Sequence, residues 1–157
     1  MMAATADGVI VLHPGDVAIG TRGEKFQTLL GSCVAVVLTD PRRTLGVMCH
    51  IVHASPALHL CHKPTAHADV AMQTMTDLLA CRGIVASMCE AYVYGGGNMF
   101  PNIVSGPGVG DKNVQWVLDA LTSRGIRVLS VDTGGAFYRQ LRWTVGPDAP
   151  QTVAVSL

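Results

Sequence analysis

The sequence predicts an α+β protein, several strands with two main helices, on three observations. Two β-prone apolar runs, CVAVVL at 33–38 and LGVMCHIV at 45–52, flank a polar Thr-Asp-Pro-Arg-Arg-Thr segment. Two amphipathic stretches, 66–82 and 111–124, each stop at a glycine, Gly83 and Gly125. Apolar residues make up 49% of the 157 and charged residues 14%, a composition that excludes disorder and leaves enough apolar side chains for a core.

A strand is expected over Gly8–Leu12, then a turn at Pro14-Gly15 and a second strand including Val17–Ile19, with Thr21–Lys25 as a loop. In the next segment Asp40-Pro41-Arg42-Arg43 suits a type I turn, because Asp favours its first position and Pro already has the φ of its second. A four-residue hairpin loop on that turn is centred between Pro41 and Arg42, so facing residues share an index sum of 83. Cys33 and His50 then face each other, with Cβ atoms roughly 4.5–5.5 Å apart.

Residues 53–66, with two prolines and four of the His and Cys residues, read as a loop. The helix over 66–82 presents Val70, Ala71, Met75, Leu78 and Leu79 on one face. Ile84–Met88 and Glu90–Tyr94 read as strand, ending in Gly95-Gly96-Gly97-Asn98. The helix over 111–124 presents Val114, Val117, Leu118 and Leu121, and a strand at Ile126–Val131 runs into Asp132-Thr133-Gly134-Gly135. The order helix, Arg-Gly-Ile, strand, glycine-rich turn therefore occurs twice. Gln140–Val145 and Gln151–Val155 close the chain as a hairpin around Gly146-Pro147-Asp148. With no linker or charge block along the chain, residues 1–157 are read as one domain.

Eleven basic and eleven acidic residues cancel, which argues against a nucleic-acid or anionic-membrane surface, and 5% aromatics argue against base stacking. No apolar run reaches membrane-spanning length, and residues 1–16 lack the basic start and long apolar core of a signal peptide. Five cysteines, an odd number without a CxxC pair, fit reduced thiols and a cytoplasmic location.

Cys33 follows Gly31-Ser32 and opens a strand, where a thiol is rigidly held yet reachable. A nearby imidazole activates such a thiol by taking its proton, and His50 is placed to do so. The same two residues also read as a buried structural cysteine and a core histidine. Cys49, His50, His53, His59, Cys61, His62 and His67 form a cluster in sequence but lack any standard zinc spacing, so no metal is expected. The glycines at 95–97 lack both the P-loop lysine and the dinucleotide spacing, and instead suit close approach of backbone to a substrate. No cofactor is expected.

Thr28-Leu29-Leu30-Gly31-Ser32-Cys33-Val34-Ala35-Val36, with His50 after a short Asp-Pro hairpin, resembles the CheD family of chemoreceptor glutamine deamidases. The likeness continues through Ala68-Asp69, Tyr94-Gly95-Gly96-Gly97-Asn98-Met99-Phe100, Gly110-Asp111-Lys112-Asn113-Val114 and Asp132-Thr133-Gly134-Gly135, spanning about residues 8 to 145. The resemblance implies β-sheets packed in layers (a mixed or antiparallel sandwich) flanked by outer helices, similar to bacterial toxin-type cysteine deamidases. It implies hydrolysis of glutamine side chains on methyl-accepting chemoreceptors during chemotaxis adaptation, with a CheC-type phosphatase as a partner. It assigns catalysis to Cys33 and His50, assisted by Thr28, and substrate contacts to Ser32, Gly96, Gly97 and Asn98. Where the family usually has Leu-Pro after the histidine, this chain has Ile51-Val52-His53-Ala54-Ser55-Pro56. A thiol hydrolase for another protein amide and a non-catalytic receptor- or phosphatase-binding module are the competing readings.

Overall fold

A computed structural model describes residues 7–57, 62–103 and 106–156. Among the described residues nine strands form two sheets. One holds β1 (Val9–Leu12), β3 (Lys25–Leu30), β8 (Tyr138–Thr144) and β9 (Gln151–Val155), in the order β1-β3-β8-β9. The other holds β2 (Val17–Thr21), β4 (Val34–Thr39), β5 (Leu45–Ile51), β6 (Glu90–Gly95) and β7 (Arg127–Thr133), in the order β2-β5-β4-β6-β7. Both sheets are mixed: β1–β3 and β6–β7 are parallel pairs and the others antiparallel.

The helices α1 (Ala68–Ala80) and α2 (Val109–Ser123) cover one face of the five-stranded sheet, and the four-stranded sheet covers the other. The central strands therefore have no solvent face. Every residue of β4 and β5 is buried, which is why these segments read as unbroken apolar runs rather than alternating ones. Alternate residues of β4 serve two cores. Val34, Val36 and Leu38 pack with Met72, Met75, Leu79, Val117 and Leu121 of the helices. Ala35 and Val37 point the other way, with Met48, Phe26, Leu141 and Trp143, into the space between the sheets. Phe26 and Trp143 stack there at 6.1 Å.

The layered α+β architecture agrees with the expectation, but five local features differ. Thr21–Lys25 is a tighter connection than expected, because β2 runs to Thr21 and β3 begins at Lys25. β3 itself was not apparent from the sequence: its inward residues are Phe26, Thr28 and Leu30, while Leu29 is 55% exposed, so the alternation is blurred by a buried threonine and an exposed leucine. Residues 84–88 are not a strand; Ala86–Met88 forms a 3-10 turn that feeds β6. Within the expected 53–66 loop, His53 bridges to His67 and Pro64–Ala66 is a 3-10 turn leading into α1.

The fifth difference concerns the β4–β5 hairpin. Asp40 O does accept from Arg43 N at 2.9 Å, as a type I turn requires. Yet the strands do not resume pairing at once: Thr39 lies opposite Gly46 and Ala35 opposite His50, an index sum of 85. Two further residues, Thr44 and Leu45, join the loop because the Asp40 carboxylate accepts from both of their backbone N–H groups, at 2.8 and 3.0 Å, and from the Thr44 hydroxyl. Arg43 takes a left-handed φ of 57° to close it. Cys33 is thus not directly opposite His50 but diagonal to it. The shift is by two, so both side chains keep the same face.

Candidate active site

His50 projects from β5 into the space between the sheets and is 2% exposed. Facing it across that space is Thr28 of β3, 1% exposed, with Oγ1 2.7 Å from His50 Nδ1. Thr28 Oγ1 is also 2.8 Å from the Leu12 carbonyl oxygen of β1. A carbonyl can only accept, so the threonine proton goes to Leu12 and the hydroxyl oxygen accepts from Nδ1–H. The imidazole therefore carries its proton on Nδ1, and Nε2 holds a free lone pair. That nitrogen is buried and has no hydrogen-bond partner among the described residues. A buried acceptor left unpaired is costly, and such an atom marks a place reserved for a proton donor.

Cys33 lies just before β4, half-buried, on the same inter-sheet face. Diagonal neighbours on adjacent antiparallel strands sit roughly 7–8 Å apart at Cα, within reach of an imidazole. Burial pushes the Cys33 thiol up from its ordinary value. Burial likewise pushes His50 down to about 4; Asp16 opposes this, and Lys63 and His13 add to it. Both shifts favour uncharged forms, so the resting pair is thiol and neutral imidazole rather than thiolate and imidazolium. Cys49 and Cys89 are buried and pushed up by desolvation to about 12 and about 11, which makes both poor nucleophiles, and Cys81 is exposed.

The glycine-rich end of β6 packs against Cys33. Gly96 N donates to Cys33 O and Gly97 N to Gly31 O, both at 2.9 Å. Gly95 has φ 109°, and a side chain there would strike the Cys33 carbonyl. The second glycine turn is bound to the first: Gly134 N donates to Gly95 O at 2.9 Å and Asn98 N to Gly135 O at 2.8 Å. Arg139, 2% exposed, reinforces the junction by donating to Gly95 O and to Asp132 Oδ1, each at 3.3 Å.

A cleft of about 260 Å³ opens beside Ser32, between Gly97–Phe100 and the first turn of α2. Ser32, Gly97 and Asn98 line it, so three of the four residues expected to contact substrate border one space. Gly96 does not; its backbone supports the Cys33 carbonyl instead. A larger cavity of about 420 Å³ lies at the opposite end of β3, around Lys25, Arg142 and Gln151, away from Cys33.

Among the described residues no group of three or more His, Cys, Asp or Glu side chains is placed to hold a metal ion. The His53 and His67 rings lie tilted at 36° with centroids 4.9 Å apart, and His67 Nδ1 lies 2.8 Å from Ser55 O. His59 and Cys61 of the sequence cluster lie outside the described residues.

Residues 57–147 match the family model described as CheD chemotactic sensory transduction. The chain belongs to the CheD family. It is 34% identical over 143 residues to a probable chemoreceptor glutamine deamidase CheD 2 of Albidiferax ferrireducens, covering 87% of this chain and 81% of that one. It is 34% identical over 136 residues to the chemoreceptor glutamine deamidase CheD of Thermotoga maritima, covering 86% and 85%. A probable chemoreceptor glutamine deamidase CheD of Methanococcus vannielii is 33% identical over 127 residues, covering 81% and 82%. The similarity to solved structures is more distant: the hypothetical protein YfiH of Bacillus licheniformis matches with TM-score 0.46 and 14% identity, over 75% of this chain and 49% of that one.

Within this CheD-family chain, two polar residues of the site region carried no assigned role in the sequence. Arg139 and Asn113 are both almost fully buried. Asn113 occupies the stripe Gly110, Asn113, Val117, Leu121 that α2 turns to the core. A polar residue in an apolar stripe is a signal readable from sequence, but what it bonds to is not.

Proposed function

We propose that this protein hydrolyses glutamine side-chain amides of methyl-accepting chemoreceptors to glutamate, with Cys33 as nucleophile and His50 as base. The observation that carries this reading is the His50 tautomer: Nδ1–H is committed to Thr28, and Nε2 is bare, buried and unpartnered beside the Cys33 strand. The family membership and the names of the relatives support the substrate.

As the thiol attacks, Nε2 takes the Sγ–H proton and a bond forms between Sγ and the carboxamide carbon. The tetrahedral intermediate collapses with loss of ammonia, which leaves with the proton from Nε2 and yields a thioester. Water then attacks the thioester and gives a proton to Nε2. Collapse expels the sulfur, which regains that proton, and glutamate is released. Thr28 keeps the imidazole in the reactive tautomer throughout, and backbone N–H groups at Cys33 stabilise the oxyanion. The setting for such an activity is the cytoplasm, in chemotaxis adaptation, with a CheC-type phosphatase as regulatory partner. Among the described residues no helix is long and apolar enough to cross a membrane.

The test is to incubate the protein with a chemoreceptor cytoplasmic fragment and follow amide-to-acid conversion by mass spectrometry. Conversion by the unaltered protein and none by Cys33→Ala is expected; full activity of Cys33→Ala overturns the mechanism. Alkylation gives an independent measure. Cys33 is partly buried, so labelling faster than at exposed Cys81 requires a helping base, whereas slow labelling favours a packing role in a binding module.

A further inference from the structure

The geometry points to Asn113 as a positioning residue that aims the Cys33 backbone N–H at the reacting oxygen. The inference rests on the Cys33–His50 reading and deepens it.

Asn113 is 1% exposed, and its side-chain nitrogen donates to Ser32 O at 3.3 Å and to Val52 O at 3.1 Å. The two N–H groups of one planar amide are thereby spent on two strands. Ser32 is the residue before Cys33, and Val52 follows the end of β5, two residues after His50. Helix α2 therefore holds together the ends of the two strands that carry the nucleophile and the base.

The bond to Ser32 also sets a direction. In a trans peptide the C=O and the following N–H point opposite ways, so fixing Ser32 C=O toward α2 turns Cys33 N–H away from it. The strand pattern agrees. His50 bonds through its own backbone to Gly15 and Asp16, on the β2 side. Antiparallel ladders alternate, so Cys33 turns its backbone groups toward β6, and Gly96 N–H indeed meets Cys33 O. The reciprocal bond, from Cys33 N–H to Gly96 O, is missing. Gly96 has φ 62°, and its carbonyl is turned onto Gly110 at the start of α2. Cys33 N–H consequently donates to no acceptor among the described residues. A backbone donor held open beside a nucleophile, and fixed from behind by a buried amide, is the arrangement an oxyanion site needs.

The experiment compares the unaltered protein with Asn113→Ala in three measurements on a chemoreceptor cytoplasmic fragment and on chloroacetamide. For deamidation, kcat should fall roughly 10- to 100-fold while KM stays within about twofold, since the donor is misaimed and binding is not altered. Alkylation of Cys33 by chloroacetamide, a displacement that forms no oxyanion, should keep its rate within about twofold. Deamidation within about twofold of normal overturns the proposal. So does an equal fall in deamidation and alkylation, which marks a purely structural role. Should Asn113→Ala not fold, the unaltered protein still decides. With a receptor peptide carrying an aldehyde in place of the target carboxamide, the thiohemiacetal at Cys33 should shift the Cys33 amide proton downfield in an NMR spectrum, and no shift overturns the proposal. An active Cys33→Ala would instead remove the underlying reading, so the two failures are distinguishable.

Discussion

His50 and Thr28 are hydrogen-bonded across two different sheets, Nδ1 to Oγ1 at 2.7 Å, and the threonine proton is already committed to Leu12 O. This chain of three groups decides which imidazole nitrogen is free. Thr28→Val keeps the shape but removes the acceptor, so the tautomer is no longer held. Deamidation should fall at least tenfold in kcat, with Thr28→Ser within a few-fold of normal, as steady-state kinetics would show. Thr28→Val should also lose about 1–3 kcal/mol of stability in urea unfolding, because Leu12 O and Nδ1–H are left unpaired in the interior.

The neutral resting pair makes a statement about pH and rate. In the proposed mechanism neutral His50 is the base, and with its folded value near 4 it stays neutral well below pH 6. The acid limb of kcat/KM should therefore lie near pH 4 rather than near the ordinary histidine value of about 6.5. A limb near 6.5 in a pH–rate profile would show that His50 titrates as a solvated histidine.

The same shift couples folding to pH. Because His50 is harder to protonate in the folded chain than in the unfolded one, the unfolded state takes up a proton first as pH falls. Its contribution to stability is complete above about pH 6.5 and is lost between there and about 4, by about 3 kcal/mol. Urea unfolding of the unaltered protein and of His50→Gln at pH 7 and at pH 4.5 should show a smaller loss in the variant.

The Asp40 carboxylate holds Thr44 and Leu45 in the hairpin loop. Asp40→Ala should cost about 1–2 kcal/mol in the same assay, since the backbone N–H groups of both residues lose their acceptor. The β4–β5 pairing should then fray from the loop end, which amide hydrogen exchange at Val47 would detect.

Gly96 combines a φ of 62° with a position where a side chain would strike Val114 and the Gly110 carbonyl. Gly96→Ala should lower the thermal midpoint through a loss of about 1–3 kcal/mol. It should also reduce deamidation, because the Cys33 carbonyl rests on Gly96 N–H.

The two helices and the buried strands β4 and β5 were legible because long apolar periodicity or long apolar runs leave few alternatives. β3 was not, since Lys25-Phe26-Gln27-Thr28-Leu29-Leu30 turns a threonine inward and a leucine outward. That inversion has a structural counterpart: the core position at 28 holds the hydroxyl that meets His50. The hairpin arithmetic recovered the shared face of Cys33 and His50 but not their register. It counted the turn residues and could not count the two that the Asp40 side chain recruits.

The sequence by itself determined the residue types and their order: a cysteine at a strand entrance, a histidine on the next strand, glycines at two strand ends, and the motifs of one family. Only the tertiary structure decided which of them touch. Thr28 lies 22 residues from His50, and Asn113 lies 81 from Ser32 and 61 from Val52. Those contacts depend on how one sheet is laid over another and how a helix seats across two strand ends. Local propensity carries no information about such packing, because its energy comes from surfaces that meet only after the chain has folded.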